Sequence, residues 1–392
     1  MNGPSPTLRR TCTFCVMDDF SPSIEFNDAG QCNCCRDALL RQPHEWWPGP
    51  AGRTRMDELV RKLKATGQGK RYEAMIGLSG GIDSAYLAHV AVRELGLRVL
   101  AVHVDGGWNS EPAVRNIESL VRTLDLDLHT HVVEWGEMRD VQLSFLKASV
   151  FNQDIPQDHA FFATLYRTAR RLGIRHFLSG VNFASESIIP PSQGSPTAID
   201  GSHVRGIQAR FGTAELRNYP VMGLSEFLWT TRFSGALSVA KPLDFMRYDK
   251  EAAKQELTRL YGWRDYGGKH HESRFTKFYE QIFLPRKFGL DKRRQHLASL
   301  IVCGQMTRAR AMDLLAEPVI DERDMRRDIR FVAKKLGIAP VELERLIGQP
   351  AVPHAQYPNR MAVHGGLIRL RQLVRAGLAS NAERGTAKAS SS

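Results

Sequence analysis

The 392-residue sequence predicts an α/β fold: a doubly wound parallel sheet with an N-terminal zinc ribbon and a C-terminal helical region. Three observations support this prediction. Strand-like apolar runs alternate with helical patterns between residues 71 and 265, which is the order that gives parallel sheets with right-handed crossovers. Paired cysteines lie within residues 1–40, and amphipathic helical patterns dominate residues 266–380.

The composition is that of a folded protein with an excess of positive charge. Hydrophobic residues make up 42% and charged residues 24% of the chain, and the formal net charge is +12. Such a charge suits nucleic acid, but it also suits anionic small substrates such as ATP and nucleotide sugars. No apolar run is long enough to span a bilayer, and we recognise no secretory signal, so we expect a cytoplasmic protein.

Two C-x2-C pairs mark the first module, residues 1–40. Cys12 and Cys15 form the first pair, and Cys32 and Cys35 follow after a gap of 16 residues. Because two cysteines at this spacing can both reach one tetrahedral ion, we predict that these four thiolates bind a structural Zn²⁺. Cys34 offers a different ligand from Cys32, and we choose Cys32 because it completes the two-residue spacing. A redox pair or chance clustering is the alternative.

Residues 41–70 are predicted to be a linker followed by a short helix. Proline and glycine are frequent up to residue 55, and the segment Met56–Leu63 is amphipathic.

A glycine-containing loop organises the next domain, residues 71–265. It follows an apolar strand, Met75–Leu78, and precedes a helix that begins near Asp83. Glycines let the backbone approach an anion closely, and the unpaired N–H groups of the first helical turn point at it. The carboxylate of Asp83 suits a Mg²⁺ ion held against phosphate oxygens. We therefore predict a phosphate-binding loop, rather than an ordinary turn, made of Ser79, Gly80, Gly81, Asp83 and Ser84.

Three further strands are predicted at residues 98–105, 128–133 and 176–182. In an open parallel sheet the carboxyl ends of the strands converge on the ligand. We therefore expect Asp105, Gly180 and Asn182 to join the loop in binding the nucleotide, although Asn182 has the alternative of satisfying a turn. Residues 188–240 break the strand–helix alternation, and we predict that this insertion binds the acceptor substrate.

A second polar cluster, Gly267–Glu272, contains one lysine, two histidines and a carboxylate. Because charge builds on the oxygens of a departing pyrophosphate, we predict that Lys269 neutralises it. A metal site made by His270, His271 and Glu272 and a solvated loop are alternatives, and the roles of the histidines stay open. The tail, residues 381–392, is predicted to be disordered.

The loop Ser79–Ser84 is neither a Walker A loop nor a GxGxxG motif. It resembles the SGGxDS loop of the PP-loop ATP pyrophosphatases, a family of the HUP class, which implies cleavage of ATP between the α and β phosphates. The first cysteine pair, the segment Gly267–Ser273 and the segment Leu284–Leu297 extend the likeness. Together these motifs resemble the N-acetyl sugar amidotransferases of bacterial surface-polysaccharide synthesis.

This resemblance implies an ATP-dependent, AMP-forming C–N ligase of lipopolysaccharide and O-antigen biosynthesis. An acetamido group on a nucleotide-linked sugar becomes an acetamidino group through an adenylylated imidate and ammonia. It implies ATP and Mg²⁺ as cofactors, and we take Asp83 and Lys269, whose roles we predicted from their chemistry above, as the catalytic residues. It also implies that ammonia comes from partners similar to the glutaminase and cyclase subunits of imidazole-glycerol-phosphate synthase, and nucleic acid is not expected as a partner.

Two other functions compete with this interpretation. A PP-loop tRNA thiolase with a zinc module explains the positive charge, but it needs catalytic cysteines, and no cysteine lies between Cys35 and Cys303. A zinc-ribbon scaffold with a degenerate nucleotide site is the non-enzymatic alternative, and the intact loop argues against it.

Overall fold

A five-stranded, all-parallel sheet lies at the centre of the protein. The structure, a computed structural model, describes residues 9–190, 195–233 and 237–360. The strand order is β3-β2-β1-β4-β5, with β1 (Ala74–Gly77), β2 (Val99–Asp105), β3 (Asp127–Val132), β4 (His176–Leu178) and β5 (Ser238–Ala240). The strand order reverses between β1 and β4, which is the switch point where open α/β sheets bind ligands.

Sixteen α-helices surround this sheet in the described part of the chain. The first nine are α1 (Asn33–Glu45), α2 (Pro50–Thr66), α3 (Ile82–His89), α4 (Glu111–Leu124), α5 (Trp135–Ala148), α6 (Ile155–Leu172), α7 (Phe183–Glu186), α8 (Gly201–Phe211) and α9 (Leu224–Leu228). The other seven are α10 (Lys250–Tyr261), α11 (Arg274–Phe278), α12 (Leu284–Phe288), α13 (Arg293–Val302), α14 (Arg308–Ala316), α15 (Glu322–Leu336) and α16 (Pro340–Gly348). Three π-helical segments interrupt or extend them: Val90–Glu94, Trp229–Phe233 and Tyr279–Phe283.

Strand β1 is covered by helices on both faces. Met75 belongs to a core cluster with Leu165 of α6, whereas Ile76 belongs to the cluster that contains Ala85 of α3. Both strand residues are fully buried, as expected for a central parallel strand. The predicted doubly wound α/β fold is therefore confirmed, and so are the N-terminal four-cysteine module and the helical C-terminal region as far as residue 360.

The predicted linker at residues 41–55 is wrong. Helix α1 continues through Pro43 to Glu45, and α2 begins at Pro50, well before the predicted Met56. A proline in the first helical turn costs no hydrogen bond, because the N–H groups there lack intrahelical partners. Proline thus marked the start of a helix here and not an irregular segment.

Helices α5 and α8 are among those that the sequence did not indicate. Helix α5 buries polar side chains as well as apolar ones, so its sequence shows no clean apolar stripe. Helix α8 lies inside the insertion 188–240 and begins after Asp200, whose carboxylate accepts hydrogen bonds from the N–H groups of Ser202 and His203. The insertion is therefore partly helical. Its residues 191–194 and 234–236 lie outside the described part, as do the predicted tail and all of residues 361–392.

The edge strand β5 is followed by a 3-10 turn, Pro242–Phe245. Within the described residues no helix is both long and apolar enough to cross a membrane.

Candidate functional site

The two glycines of the predicted phosphate loop lie close to neighbouring segments, and glycine is required at Gly80. Gly80 has a φ of 81°, and a Cβ added there would lie 2.5 Å from the carbonyl oxygen of Ala113. A Cβ on Gly81 would lie 2.6 Å from Oε1 of Glu272, so the end of that side chain would have to move. The loop therefore passes closely between α4 and the segment that carries Glu272.

The two serines of the loop face each other. Oγ of Ser79 lies 3.2 Å from Oγ of Ser84, and the backbone N–H of Ser79 donates to Oγ of Ser84 at 3.3 Å. The backbone N–H of Gly81 donates to Oγ of Ser79 at 3.1 Å. Two N–H groups of the loop therefore donate to hydroxyl groups of the loop itself. A bound anion can take the place of these hydroxyls as the acceptor.

Asp83 lies at the start of α3 and is held by two partners. Its Oδ1 accepts hydrogen bonds from the hydroxyl of Tyr248 at 2.6 Å and from Nδ2 of Asn182 at 3.2 Å. A Cβ on Gly180 would lie 3.1 Å from the carbonyl carbon of Asp83. The structure therefore brings together three predicted site residues, Asp83, Gly180 and Asn182. No hydrogen bond to Oδ2 of Asp83 occurs among the described residues, so this oxygen is available to a divalent cation.

Asp105 supports its own loop at the end of β2. Its Oδ1 accepts hydrogen bonds from the N–H of Gly107 at 2.8 Å and from Nδ2 of Asn109 at 3.1 Å. Nδ2 of Asn109 also lies 3.1 Å from Nε2 of His103. Among the described residues, Asp105 makes no hydrogen bond or ion pair to the phosphate loop. Asp105 therefore lies at the same edge of the sheet as the loop but does not contact it through a polar interaction.

The polar cluster Gly267–Glu272 is drawn to this edge by backbone pairing. The carbonyl of Glu272 accepts from the N–H of Ser110 at 2.7 Å, and the carbonyl of Trp108 accepts from the N–H of Arg274 at 2.8 Å. Glu272 consequently lies beside the phosphate loop, with Oε1 3.4 Å from Oγ of Ser79. Burial, together with the negative charge of Asp83, raises the pKa of Glu272 to about 7.

Lys269 is paired with a carboxylate that follows β4. Its Nζ lies 2.8 Å from Oε1 of Glu186 and donates to the carbonyl of Ser185 at 3.2 Å. A second lysine, Lys250 at the start of α10, has no hydrogen-bond or ion-pair partner among the described residues. Burial lowers the pKa of Lys250, while the negative charges of Asp83 and Glu272 act in the opposite direction. Lys250 therefore lies near Asp83 and Glu272 without a partner of its own among the described residues, whereas Lys269 is paired beside the residues that follow β4.

His270 adopts an unusual backbone conformation between two carboxylates. Its φ is 62°, in the left-handed region that non-glycine residues rarely occupy and that is often found at functional sites. Nε2 lies 4.0 Å from Glu186, and Nδ1 lies 4.0 Å from Glu272. Burial and the neighbouring positive charge of Lys269 hold the pKa of His270 well below its ordinary range. The imidazole is therefore neutral at neutral pH.

Two cavities meet at this position. The strand-end cavity, of about 580 Å³, is bounded by Ser79 of the loop and by residues at the carboxyl ends of β1 and β2, such as Leu78 and His103. The helical cavity, of about 760 Å³, is bounded by basic residues such as Lys250 and His296. The two cavities share lining residues, which are Pro190, His270, Glu280, Lys292 and Gln295.

The four cysteines of the two pairs form one cluster. Their Sγ atoms all lie within 4.8 Å of one another, and the distances are 3.7 Å for Cys12–Cys35 and 3.6 Å for Cys15–Cys32. A tetrahedral zinc ion with Zn–S bonds of about 2.3 Å needs sulfur atoms about 3.8 Å apart, so the cluster fits a single ion. Cys34 lies outside the cluster, with Sγ 3.6 Å from Oδ1 of Asn33.

Among the described residues, no other group of three or more His, Cys, Asp or Glu side chains is close enough to hold a metal ion. The alternative of a metal site at His270, His271 and Glu272 is therefore not supported.

Two family models match separate parts of the chain. Residues 54–153 match the NAD synthase family, and residues 272–371 match the C-terminal domain of WbpG-like LPS biosynthesis proteins. Each match covers about a quarter of the chain. Together with the loop and the parallel sheet, they support a PP-loop ATP pyrophosphatase family member in polysaccharide biosynthesis. These matches support an ATP-using, amidotransferase-like role in lipopolysaccharide biosynthesis.

Solved structures give more distant likenesses. An NH3-dependent NAD synthetase from Campylobacter jejuni is 17% identical, with a TM-score of 0.27, over 34% of this chain and 58% of that chain. An NMN synthetase from Francisella tularensis is 16% identical, with a TM-score of 0.32, over 77% and 98%. The U34-tRNA thiolase NcsA from Methanococcus maripaludis, with its 4Fe–4S cluster, is 12% identical, with a TM-score of 0.30, over 80% and 89%. No curated protein matches the chain.

Several residues of the site were missed by the sequence analysis. Tyr248 lies in the loop before α10, and Lys250 is the first residue of that helix. Neither position has a recognisable sequence motif, and only the fold shows that both lie near Asp83. Tyr266, whose hydroxyl accepts from the N–H of Ile82 at 3.0 Å, directly precedes a segment that was recognised as polar and crowded. A search for aromatic hydroxyls beside that segment would have found Tyr266 but not the other two.

Proposed function

We propose that this protein is an ATP-dependent amidotransferase that converts the acetamido group of a nucleotide-linked sugar into an acetamidino group, with release of AMP and pyrophosphate. The observation that carries the proposal is the glycine loop at the switch point of the sheet. There, Lys250 lies near Asp83, and the N–H groups of Ser79 and Gly81 donate to replaceable hydroxyls. The WbpG-like domain supports the choice of a sugar acceptor.

ATP occupies the strand-end cavity in this proposal. Ser79, Gly80, Gly81 and Ser84 hold the β and γ phosphates at the start of α3, and the ends of β1 and β2 bound the nucleoside. Gly180 and Asn182 keep Asp83 in place. Mg²⁺, when bound at Asp83, offsets the charge of the phosphates. Lys269, together with Lys250, neutralises the leaving pyrophosphate.

The acceptor enters from the helical cavity, and the reacting groups meet where the two cavities join. The amide oxygen attacks the α phosphorus, and the bond to the β-phosphate oxygen breaks. The amide N–H proton leaves, which gives a neutral O-adenylyl imidate and pyrophosphate. Ammonia then adds to the imidate carbon, and AMP departs with the former amide oxygen. The three hydrogens of ammonia end on the two nitrogens of the amidinium product. Positioning both substrates in line supplies much of the rate.

His270 is placed to orient the acceptor in this sequence. It is neutral, lies at the junction of the cavities and is flanked by two carboxylates. A neutral imidazole can accept a hydrogen bond from the amide N–H of the acceptor.

The four-cysteine cluster holds a structural Zn²⁺ in our proposal. Four thiolates fill a tetrahedral zinc site and leave no open position for catalysis. A 4Fe–4S cube binds each thiolate to a different iron atom, and this spreads the sulfur atoms farther apart than they lie here. The guanidinium of Arg308 in α14 donates to the carbonyls of Cys12 and Cys15, both at 3.0 Å, so the zinc module is tied to the C-terminal helices.

The partners belong to the proposal as well. We propose that glutaminase and cyclase-type proteins supply ammonia and that no nucleic acid takes part. The one cysteine beyond the zinc module, Cys303, is buried, and burial raises the pKa of its thiol to about 12. Because the thiolate is the reactive form, Cys303 is unsuited to the sulfur transfer that a tRNA thiolase requires.

The test incubates the purified protein with ATP, Mg²⁺, ammonium chloride and a panel of UDP-acetamido sugars. We expect AMP, pyrophosphate and a sugar product one mass unit lighter, because NH replaces O. Formation of ADP would contradict the proposal. AMP formation that depends on tRNA and not on the sugar would instead favour the thiolase.

A further inference from the structure

The strand-end cavity has an acidic end that the proposed function does not yet use. Asp154, Asp158 and Glu280 line this part of the cavity, and Lys292 is the basic residue beside them. Asp154 precedes α6, Asp158 lies in its first turn, and Glu280 lies in the π-helical segment Tyr279–Phe283. We call these three carboxyl groups the acidic pocket. They come from separate elements that the fold brings to one place.

Glu280 points to a ligand in this pocket. Its side chain is nine-tenths buried, with an exposed fraction of 9%, and it lines both cavities. Within the described part of the chain no hydrogen bond or ion pair reaches its carboxylate. Burying a carboxylate without partners is costly, so a buried one that faces a cavity is expected to meet a ligand there. The π-helical turn that carries Glu280 is the kind of irregularity that often places functional side chains.

The neighbouring groups are held more firmly. Oδ1 of Asp154 accepts hydrogen bonds from the hydroxyl of Thr276 at 3.1 Å and from Nε2 of Gln157 at 3.3 Å. Burial raises the pKa of Asp158 to about 6 and that of Glu280 to about 7. The positive charges of Lys292 and Lys269 lower the pKa of Glu280, and the negative charges of Glu272 and Glu186 raise it. Burial and the charge of Glu280 itself raise the pKa of Asp154.

We propose that the acidic pocket binds ammonium, takes up one of its protons and delivers ammonia to the adenylylated acceptor. This inference rests on the proposed function, because it names the site from which that reaction draws its nucleophile. At this end of the cavity, the three carboxyl groups of the acidic pocket face the single cation of Lys292. A small cation therefore fits the acidic end better than a phosphate.

The proton balance of this step is simple. Ammonium loses one proton to a carboxylate of the pocket, which becomes a neutral carboxylic acid, and ammonia moves to the imidate carbon. The amidinium product and AMP form as described above, and the carboxylic acid later returns its proton to solvent. A carboxyl group whose pKa is raised towards neutrality is suited to accept and release a proton in each turnover. Glu280 lines both cavities, so it can take the proton close to the acceptor.

A divalent cation fits the acidic pocket less well. Mg²⁺ draws its oxygen ligands to about 2.1 Å and so needs carboxylates gathered tightly around it. Within the described residues only the cysteine cluster brings three or more metal-ligating atoms within 4.8 Å of one another. An ammonium ion makes longer hydrogen bonds and does not need all three carboxylates at once.

The first test uses thallium(I), a monovalent ion that substitutes for ammonium and scatters X-rays anomalously. Crystals of the wild-type protein are soaked in thallium(I) acetate, and separate crystals are soaked in MnCl2. We expect a thallium peak in contact with the carboxylate of Glu280 and no manganese peak there. The absence of a thallium peak in the pocket, or a manganese peak in its place, would overturn the proposal.

The second test is kinetic and uses Glu280→Gln, which keeps the shape of the side chain and removes its charge. We expect the KM for ammonium to rise at least tenfold, while the KM for ATP changes less than twofold. Asp158→Asn is the second variant in case the first one does not fold. Glu322→Gln, at the exposed start of α15, is the matched control and should leave both constants unchanged.

The outcomes separate this inference from the proposed function. An unchanged KM for ammonium, or an equal rise in the KM for ATP, would overturn the ammonium pocket while the amidotransferase reaction stands. If the wild-type protein formed no AMP with any acetamido sugar, the proposed function would fail. The thallium experiment would then still decide whether the pocket binds a monovalent cation.

Discussion

The hydroxyl of Tyr248 donates a hydrogen bond of 2.6 Å to Oδ1 of Asp83. This contact joins the loop before α10 to the first turn of α3, so a residue far along the chain orients the carboxylate that we assign to Mg²⁺. Tyr248 is almost fully buried, and burial holds its pKa well above the ordinary value. It is therefore a hydrogen-bond donor at every working pH.

We predict that Tyr248→Phe lowers kcat for AMP formation between about tenfold and a hundredfold, because a hydrogen bond to a charged group contributes roughly 1.5–3 kcal/mol. Asp83→Asn should abolish AMP formation. Both are measured by release of labelled AMP, with circular dichroism to confirm folding. A Tyr248→Phe enzyme as active as the wild type would show that the contact does not position Asp83.

Lys269 gives a second prediction, because its ion pair with Glu186 allows a structural role to be separated from a catalytic one. Lys269→Met should lower AMP formation at least tenfold. If Lys269 served only to neutralise Glu186, the double variant Lys269→Met/Glu186→Gln would regain activity. We expect no recovery.

Lys254→Met is the matched control for this pair. Lys254 pairs with Asp265 and lines neither cavity, so its loss should leave AMP formation within twofold of the wild type. Recovery of the double variant, or an equal loss in the control, would remove Lys269 from the reaction.

The third prediction concerns the close passage of the phosphate loop beside Glu272. Gly81→Ala should weaken ATP binding, measured by calorimetry, because its Cβ would lie 2.6 Å from Oε1 of Glu272 and 3.0 Å from Oγ of Ser79 and would displace both side chains. Gly49→Ala is the control, since a Cβ there meets nothing within 4 Å. Retention of ATP affinity in Gly81→Ala would show that the loop has room that the structure does not indicate.

The fourth prediction separates the cysteine cluster from the fifth cysteine of the module. Cys35→Ser should lose one bound zinc ion per chain and lower the soluble yield, because the small apolar cluster around the ion cannot hold the module alone. Cys34→Ser should keep the metal. Metal content is measured by plasma mass spectrometry, and iron in the wild type or equal loss in both variants would contradict the single zinc ion.

The sequence was most informative where local chemistry leaves few choices. The turn around Gly80 and Gly81 and the spacing from Cys32 to Cys35 depend on short-range geometry, and both are found as expected. Sequence order alone also indicated the parallel sheet, because strand–helix alternation has few topological solutions.

The rest depended on tertiary contacts. Tyr248 contacts Asp83, and Lys250 comes near it, only because α10 packs against α3 and α4, and no local pattern distinguishes the two from surface residues. Helix α5 lacked an apolar stripe because it is buried with polar side chains whose partners lie elsewhere in the chain. Asp140 of α5, for example, accepts hydrogen bonds from Gln208 and Thr213.

The transfer of the acetamido oxygen to AMP tests the central claim most directly. A UDP-acetamido sugar labelled with ¹⁸O in the acetamido carbonyl is turned over with ATP, Mg²⁺ and ammonium, and the AMP is analysed by mass spectrometry. Attack of the amide oxygen on the α phosphorus predicts that the ¹⁸O appears in the phosphate of AMP. Unlabelled AMP, or ADP with label in orthophosphate, would contradict it.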